Sequence, residues 1–380
     1  MPLRPETPKQ LAEALAAGAS EKQSIRLGGA FTKERLGGPV TAPGVTISTA
    51  GLDRALEYEP NDLTISVEAG MTYAALSRLL AEHRQMVPLD PPYAERATIG
   101  GIVAANSSGP RRRLYGTARD LVIGMTFATL EGKLVRSGGM VVKNVAGLDL
   151  AKLMIGSWGT LAAIAVVNLR LHPAPACSRT FVLEFSSVAE AIAARDAVFA
   201  SVLQPAAIDL LNPAAAARIG RGGWLLLIRA QGSRMVVERY SRTFAGVASL
   251  EGDAEESLWE RVREFTPEFL ATHAEGAVVR VSATHTALQS VIGSIRGPAI
   301  ARAGSGVCYG CFEVCQTACD WLKESTGRGW PGVIESGPPE ECTAEQRWPA
   351  PGGDLAIMER IKRMFDPHHL LNRGRMYGRL

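Results

Sequence analysis

The chain has 380 residues, of which 46% are hydrophobic and 21% charged, and its net charge is +3. That length exceeds what one hydrophobic core normally serves, so two domains are expected. Acidic residues are interspersed among the basic ones, which excludes a general nucleic-acid binder, since that needs a concentrated basic face.

The first segment, "MPLRPETPKQLAEALAAGAS", predicts an amphipathic helix with Thr7 as N-cap, Pro8 as the first helical residue and Gly18 as the stop. It lacks the basic start and apolar core of a signal peptide, and no apolar run reaches the roughly 20 residues of a membrane span. The expectation is a cytoplasmic chain whose contact with a membrane is indirect, at most peripheral through other proteins.

From Ser24 to Arg170 short β-rich runs alternate with glycines and two helices. "SIRLGG" is a strand ending in a glycine pair, "LTISVEAG" a strand stopped by Gly70, and "TYAALSRLLAEHR" a helix capped by Thr72. "LVIGMTFATLEGKLVRSGG" reads as a β-hairpin turning at Glu131 and Gly132, and "GTLAAIAVVNLRLHP" as a buried strand broken by Pro173. After "HPAPA", the strand "TFVLEF", the helix "SVAEAIAARDAVFAS", the strands "AIDLL" and "WLLLIRAQG" and the helix "MVVERYSRTF" predict an α+β domain with helices on one face of an antiparallel sheet. Its last strand is "GVCYGCF". The Pro/Gly/Glu-rich segment "GVIESGPPEECTAEQRWPAPGG" reads as a loop, and "GGDLAIMERIKRMFDP" as a C-terminal helix with an apolar stripe of Leu355, Ile357, Met358, Ile361 and Phe365. The expected division is residues 1–172, then 173–345, with 346–380 returning to the first domain.

A dinucleotide fold would show G-x-G-x-x-G between a strand and a helix, and a P-loop G-x-x-x-x-G-K-[ST]; the chain has neither. Two glycine-rich segments remain. In "RLGGAFTK", Arg26 to Lys33, the glycine pair can aim successive backbone N–H groups into an anion-binding nest. In "ATIGGIVAANSSGPRRR", Ala97 to Arg113, the glycines can start a helix whose free N–H groups face a phosphate. Each segment alone is equally readable as a structural turn.

Four of the six cysteines fall at Cys308, Cys311, Cys315 and Cys319, with Cys177 and Cys342 elsewhere. A ferredoxin-type cluster uses C-x-x-C-x-x-C and a further cysteine before proline, and this spacing departs from it. Cys308 and Cys311 lie on opposite faces of a strand, whereas Cys315 and Cys319 share a helical face. They read as ordinary buried thiols, with no metal site.

The order of "RLGGAFTK", "DLTISVEAGMTYAALSRLLAEHRQMVPLDPP", "ATIGGIVAANSSGPRRRLYGTARDLVIG", "GGMVVKNVAGLDLAKLMIGSWGTLAAI" and "FDPHHLLNRGRMYG" resembles the flavoproteins of the vanillyl-alcohol oxidase, or PCMH, type. Within that family the likeness is to the FAD-binding E-type subunits of bacterial glycolate oxidase. The resemblance implies an α+β chain: a two-lobed PCMH-type FAD-binding domain, a smaller α+β cap with an antiparallel sheet, and a C-terminal helical tail. It implies that FAD contacts Gly28, Gly29, Ala30, Phe31 and Thr32, then Thr98, Gly100, Gly101, Asn106, Ser107 and Gly109, then Gly116, Thr117 and Asp120, and Ile164. Lys143, or one of Arg111, Arg112 and Arg113, would supply positive charge near flavin N1, where negative charge accumulates when hydride reaches N5. The arginines are equally readable as a solvated loop or a subunit contact. "RLGGAFTK" has no histidine or cysteine, so FAD is expected to be non-covalent.

The implied activity is oxidation of a 2-hydroxy acid, glycolate or D-lactate, with glycolate oxidase subunits D (FAD) and F (iron-sulfur) as partners. Related hydroxy-acid dehydrogenases carry a histidine-rich cap segment like "GHAGDGNLH". Here the matching segment is "ARAGSGVCY", with Arg302, Ser305, Val307 and Tyr309 at those places. This departure points to a flavin-bearing partner subunit; a non-catalytic scaffold and a self-sufficient oxidase are the alternatives. Arg280, for a substrate carboxylate, and His285, as a base, are the remaining catalytic candidates.

Overall fold

The structure, a computed structural model, describes residues 1–140, 148–338, 341–378 and 380. The chain divides into two units: Met1–Ser108, Gly116–Ala174 and Ala350–Leu380 form the first, and Gly109–Tyr115 with Pro175–Pro349 form the second. The turn "GPRRRLY" thus belongs with the second unit although it interrupts the first.

In the first unit, Thr7 caps the helix Pro8–Ser20 by accepting the Gln10 N–H, with Pro8 at its start. Gly18 does not end this helix, which continues to Ser20. A side chain there would stand 3.0 Å from Ile25 Cδ1, so this glycine serves close packing. The parallel pair Ile25–Gly28 and Val45–Ser48 makes one small sheet. The other is a five-stranded antiparallel sheet in the order Ala55–Glu59, Thr64–Glu68, Ala163–Arg170, Val122–Ala128, Leu134–Gly138. Its central strand is buried on both faces, which is why "AIAVVNLR" reads as nearly continuous hydrophobicity. Val167 and Leu169 meet Leu76, Leu80 and Ile99 on one side, while Ala163 and Ala165 meet Leu11 and Leu15 on the other.

The second unit is built on an eight-stranded antiparallel sheet. Its order is Ala248–Leu250, Cys177–Phe185, Trp224–Gly232, Ala207–Leu211, Ala299–Arg302, Val307–Phe312, Ala277–Ser282, Gly332–Ser336. Two sequence expectations change here. "GVCYGCF" is not the last strand: "GVIES", which read as loop, adds the edge strand Gly332–Ser336 beside Ala277–Ser282. Helices also cover both faces. Ile192, Tyr240, Leu288 and Leu322 pack on one, and Ala215, Trp259, Val262 and Phe269 on the other. The alternating Leu225, Leu226, Leu227 and Ile228 are therefore all buried, and a strand apolar on both sides needs a layer on each.

The C-terminal helix Gly353–Phe365 departs from its expected stripe. Leu355 is buried, but Ile357 is 59% exposed and Lys362 is fully buried. Lys362 Nζ donates to Asp366 Oδ2 (2.7 Å), to Thr160 O (2.7 Å) and to Leu371 O (3.1 Å). Asp366 in turn accepts the Leu370 and Leu371 N–H groups at 2.9 and 2.8 Å. Leu355 and Lys362 lie two turns apart on one line, so anchoring this charge decides which face turns inward. Replacing Lys362 by methionine leaves the Asp366 carboxylate buried without its cation, and should cost about 3–5 kcal/mol in urea-induced unfolding. The double variant K362M/D366L should recover part of that loss, because no charge is then left unpaired.

Candidate functional site

A cleft in the first unit collects the two glycine-rich segments. It is lined by Gly28 to Glu34, by Thr98, Gly100 and Gly101, by Trp158, Gly159 and Ile164, and by Asn372 and Arg375. All of Gly28, Gly29, Ala30, Phe31, Thr32, Thr98, Gly100, Gly101 and Ile164, singled out from the sequence, are brought together here.

The loop after the strand Ile25–Gly28 is shaped by close contacts. A Cβ on Gly29 would fall 2.0 Å from Thr98 Oγ1, so only glycine lets the loop lie against the helix Ile99–Ala104. Phe31 turns the chain with a left-handed backbone (φ 52°), its ring 4.7 Å from the Arg26 guanidinium. Among the described residues, the N–H groups of Ala30, Phe31 and Thr32 have no acceptor. Backbone donors in such a turn form an anion-binding concavity.

The second segment behaves differently from its sequence reading. The N–H groups that open the helix Ile99–Ala104 are not free: Ile99 N donates to Met71 O, Gly100 N to Ala69 O and Gly101 N to Thr98 Oγ1. The start of the helix is tied to the end of the strand Thr64–Glu68, and that tie consumes the donors a phosphate would need. Gly100 is required for this packing, since a Cβ would come 2.7 Å from Ala69 Cβ. Gly101 is not: only Thr98 Oγ1, at 3.1 Å, lies near its missing side chain, and the remaining space is open.

The residue that sequence reasoning missed is Arg375. It is 9% exposed in the cleft wall, Nη1 donates to Leu36 O, and Nε is buried without a partner. Burial, with Arg26 nearby, pushes its pKa down to about 10, so it is still a cation at neutral pH. A buried charge without a counter-ion calls for an anionic ligand. Beside it, Asn372 Oδ1 accepts the Leu27 N–H (2.8 Å), and Nδ2 donates to Leu27 O (3.0 Å) and Trp158 O (2.9 Å). The signal available was the polar cluster in "LLNRGRMYG", which has no periodicity to mark it.

The remaining candidates lie apart from the cleft lining. Asn106 is exposed and Ser107 half-buried, and Gly109 falls in the second unit. Thr117 and Asp120 form a capping box for the helix Ala118–Leu121, and Gly116 packs on the Asp120 side chain with φ 80°. Lys143 lies outside the described residues. Of the three arginines, Arg113 is engaged within the second unit: it donates to Gln204 Oε1 (3.2 Å) and lies 5.2 Å from the Phe199 ring. Arg111 and Arg112 are half-buried rather than freely solvated.

In the second unit, Arg280 pairs with Glu335 at 3.2 Å. His285 is exposed, its ring edge-on to Phe199 at 5.3 Å. "ARAGSGVCY" forms a strand, a turn and a strand; Arg302 is ion-paired with the buried Asp209 and stands 5.8 Å from the Tyr309 ring. Cys308 and Cys311 do face opposite sides of the strand Val307–Phe312, and burial pushes their thiols up, Cys308 to about 12. Cys315, however, is not an ordinary buried thiol: it forms a disulfide with Cys342, 27 residues along the chain. The sequence reading weighed only cysteines adjacent in the chain, and the fold brings back the distant one.

Residues 2–138 match the FAD binding domain, and residues 348–376 match the C-terminal domain of FAD linked oxidases. The chain is 37% identical over 177 residues to glycolate oxidase subunit GlcE of Escherichia coli (strain K12), covering 46% of this chain and 50% of that one. It is 30% identical over 172 residues to glycolate oxidase subunit GlcD of Bacillus subtilis (strain 168), 45% of this chain and 37% of that one. With a mitochondrial D-lactate dehydrogenase [cytochrome] of Arabidopsis thaliana it shares 34% over 190 residues, 50% and 33%. These alignments span a third to a half of the relatives' own lengths. In fold, the chain is similar to a solved alkyldihydroxyacetonephosphate synthase, with a TM-score of 0.73 at 17% identity, over 97% of this chain and 76% of that one.

Gly29→Ala drives a methyl group into Thr98 Oγ1, so it should lower stability by about 1–3 kcal/mol, read from the denaturation midpoint.

Proposed function

We propose that this chain, a PCMH-type flavoprotein of the FAD linked oxidases, is the FAD-binding subunit of a glycolate oxidase complex that converts glycolate, or the related D-lactate, to the 2-oxo acid. One observation carries the cofactor end of this reading. Arg375 is a buried cation whose Nε has no partner, and it lines the same cleft as Ala30, Phe31 and Thr32, whose backbone N–H groups have no acceptor among the described residues. A pyrophosphate carries the charge and the acceptor oxygens that both are missing.

In this reading Ala30, Phe31 and Thr32 bind phosphate oxygens through their N–H groups, and Arg375 adds a charge-assisted bond. Gly28 and Gly29 hold that loop in place, Thr98 and Gly100 fasten the opposite wall, and Gly101 leaves the space that the cofactor needs. Ile164 and Trp158 exclude water from the inner wall. Asn106, Ser107, Gly109, Gly116, Thr117, Asp120 and Lys143 remain proposed contacts from the family likeness. The flavin supplies hydride acceptance at N5 and onward electron transfer, chemistry that no side chain provides. Binding is non-covalent in this proposal, since the loop offers no histidine or cysteine.

Hydroxy-acid oxidation also needs a cation for the carboxylate and a base for the hydroxyl proton. In this chain Arg280 is paired with Glu335 and Arg302 with Asp209, and His285 is exposed. These engagements favour a partner-dependent role, with a D-type FAD subunit taking part in substrate oxidation and an iron-sulfur F-type subunit receiving electrons. They also support the second reading, a flavin-holding scaffold without turnover of its own. Among the described residues no helix is long and apolar enough to cross a membrane; the proposed place is the cytoplasm, with peripheral attachment through the complex.

Anaerobic glycolate should leave the flavin of the isolated chain oxidised and bleach it once the partner subunits are added. Bleaching of the isolated chain would establish a self-sufficient site instead, and no bleaching in the complex would leave the scaffold reading. Arg375→Met should weaken FAD retention about 10- to 100-fold, measured by fluorescence titration, as expected for one charge-assisted bond of ~1.5–3 kcal/mol. Gly101→Leu should leave the thermal midpoint nearly unchanged and yield a colourless protein, because its side chain enters cofactor space and meets little protein.

A further inference from the structure

The second unit gathers three sulfurs. Cys315 opens the helix Cys315–Gly327, Cys319 follows one turn later on the same face, and Cys342 returns on the segment that follows the strand Gly332–Ser336. Their Sγ atoms all lie within 4.8 Å of one another, the one such group of metal-type ligands among the described residues. Cys315 and Cys342 form the disulfide, and Cys319 Sγ stands 3.8 Å from Cys342 Sγ. Sulfurs that share one tetrahedral Zn²⁺ at ~2.3 Å are themselves about 3.8 Å apart, so the Cys319–Cys342 separation already fits one ion and Cys315 can join it only once the disulfide opens.

A buried arginine fixes the segment that carries Cys342. Arg347 is 1% exposed; its Nε donates to Cys342 O (3.0 Å) and its Nη2 to Gly337 O (3.1 Å) and Pro338 O (2.6 Å). This guanidinium shapes the turn that carries Cys342. The 13-residue helix has Val314 at its N-cap and no side-chain acceptor there, so its positive end is left for the Cys315 sulfur. Hydrophobic neighbours Ala318 and Leu322 back the group on the core side.

We propose that Cys315, Cys319 and Cys342 form a redox-gated three-thiolate site for one d¹⁰ cation of the zinc class, with water in the fourth position and the Cys315–Cys342 disulfide as the oxidised, metal-free form. Opening takes two electrons and two protons from an external dithiol, which leaves as its own disulfide. The cation then replaces three thiol protons, which pass to solvent. Oxidation by a disulfide-class oxidant re-forms the bond and expels the cation. The site is independent of the flavin cleft, and its failure would leave the FAD reading untouched.

The test uses the full chain, reduced with a dithiol and freed of it anaerobically, with Co²⁺ as a spectroscopic stand-in for Zn²⁺. The expected result is one Co²⁺ per chain, with thiolate charge-transfer absorption and d–d bands in the red, clear of the flavin, that one equivalent of Zn²⁺ abolishes. The oxidised wild-type chain should show no such bands, a control that needs no substitution. Cys319→Ser should keep the disulfide by mass and bind Co²⁺ at least tenfold more weakly, and Cys319→His, which restores a nitrogen ligand, should regain binding. Absence of the red bands in the reduced chain, equal binding by the oxidised chain, or unchanged binding by C319S would each overturn the proposal.

Discussion

The buried pair of Lys362 and Asp366 is the constraint on which the cleft depends. A charge in a dry interior is tolerated only where its partners are fixed, and here the partners belong to the chain's last segment. Lys362 ties Thr160 to Leu371, and Asp366 turns the backbone at Leu370 and Leu371. The tail then runs beside the first strand, with Ile25 N donating to Leu370 O and Asn372 N to Ile25 O. That placement presents Asn372 and Arg375 to the cleft. Part of the proposed FAD site is thus supplied by residues some 340 positions along the chain from the loop they are bonded to, and one ion pair sets their position.

The glycines of the two cleft segments divide by physical role. Gly29 and Gly100 are demanded by protein against protein, one by Thr98 and the other by Ala69. Gly101 has open space beside it and is demanded by nothing in the chain itself. Gly159, with φ 68° and its missing side chain 2.8 Å from Asn372 Nδ2, lets the tail's asparagine reach backbone on two sides. A glycine-rich stretch therefore mixes packing necessity with ligand space, and only the neighbours tell them apart.

The second unit gives the same lesson for charge and sulfur. Arg302 and Arg280, both in the eight-stranded sheet, are each held by a carboxylate from another strand. The strand "GVIES" and the helices on the second face escaped sequence reading for a related reason. A five-residue strand closely flanked by prolines carries little periodic signal, and which face of a sheet a helix covers is decided by the sheet's own two-sided burial.

Much of the scaffold was nonetheless legible in one dimension. Thr7 and Thr72 cap helices through local hydrogen bonds, and the hairpin turn at Glu131 and Gly132 and the buried strand of "AIAVVNLR" follow from local chemistry and patterning. Segment order carried the family likeness and the FAD-binding domain. The tertiary structure alone decided what depends on residues far apart in the chain: that the donors opening the helix Ile99–Ala104 are spent on Met71, Ala69 and Thr98, that Arg375 is a buried cation in the cleft, and that Cys342 meets Cys315. Sequence encodes spacing along the chain, whereas desolvation, ion pairing and sulfur contact depend on distances through space, and those exist only once the fold has formed.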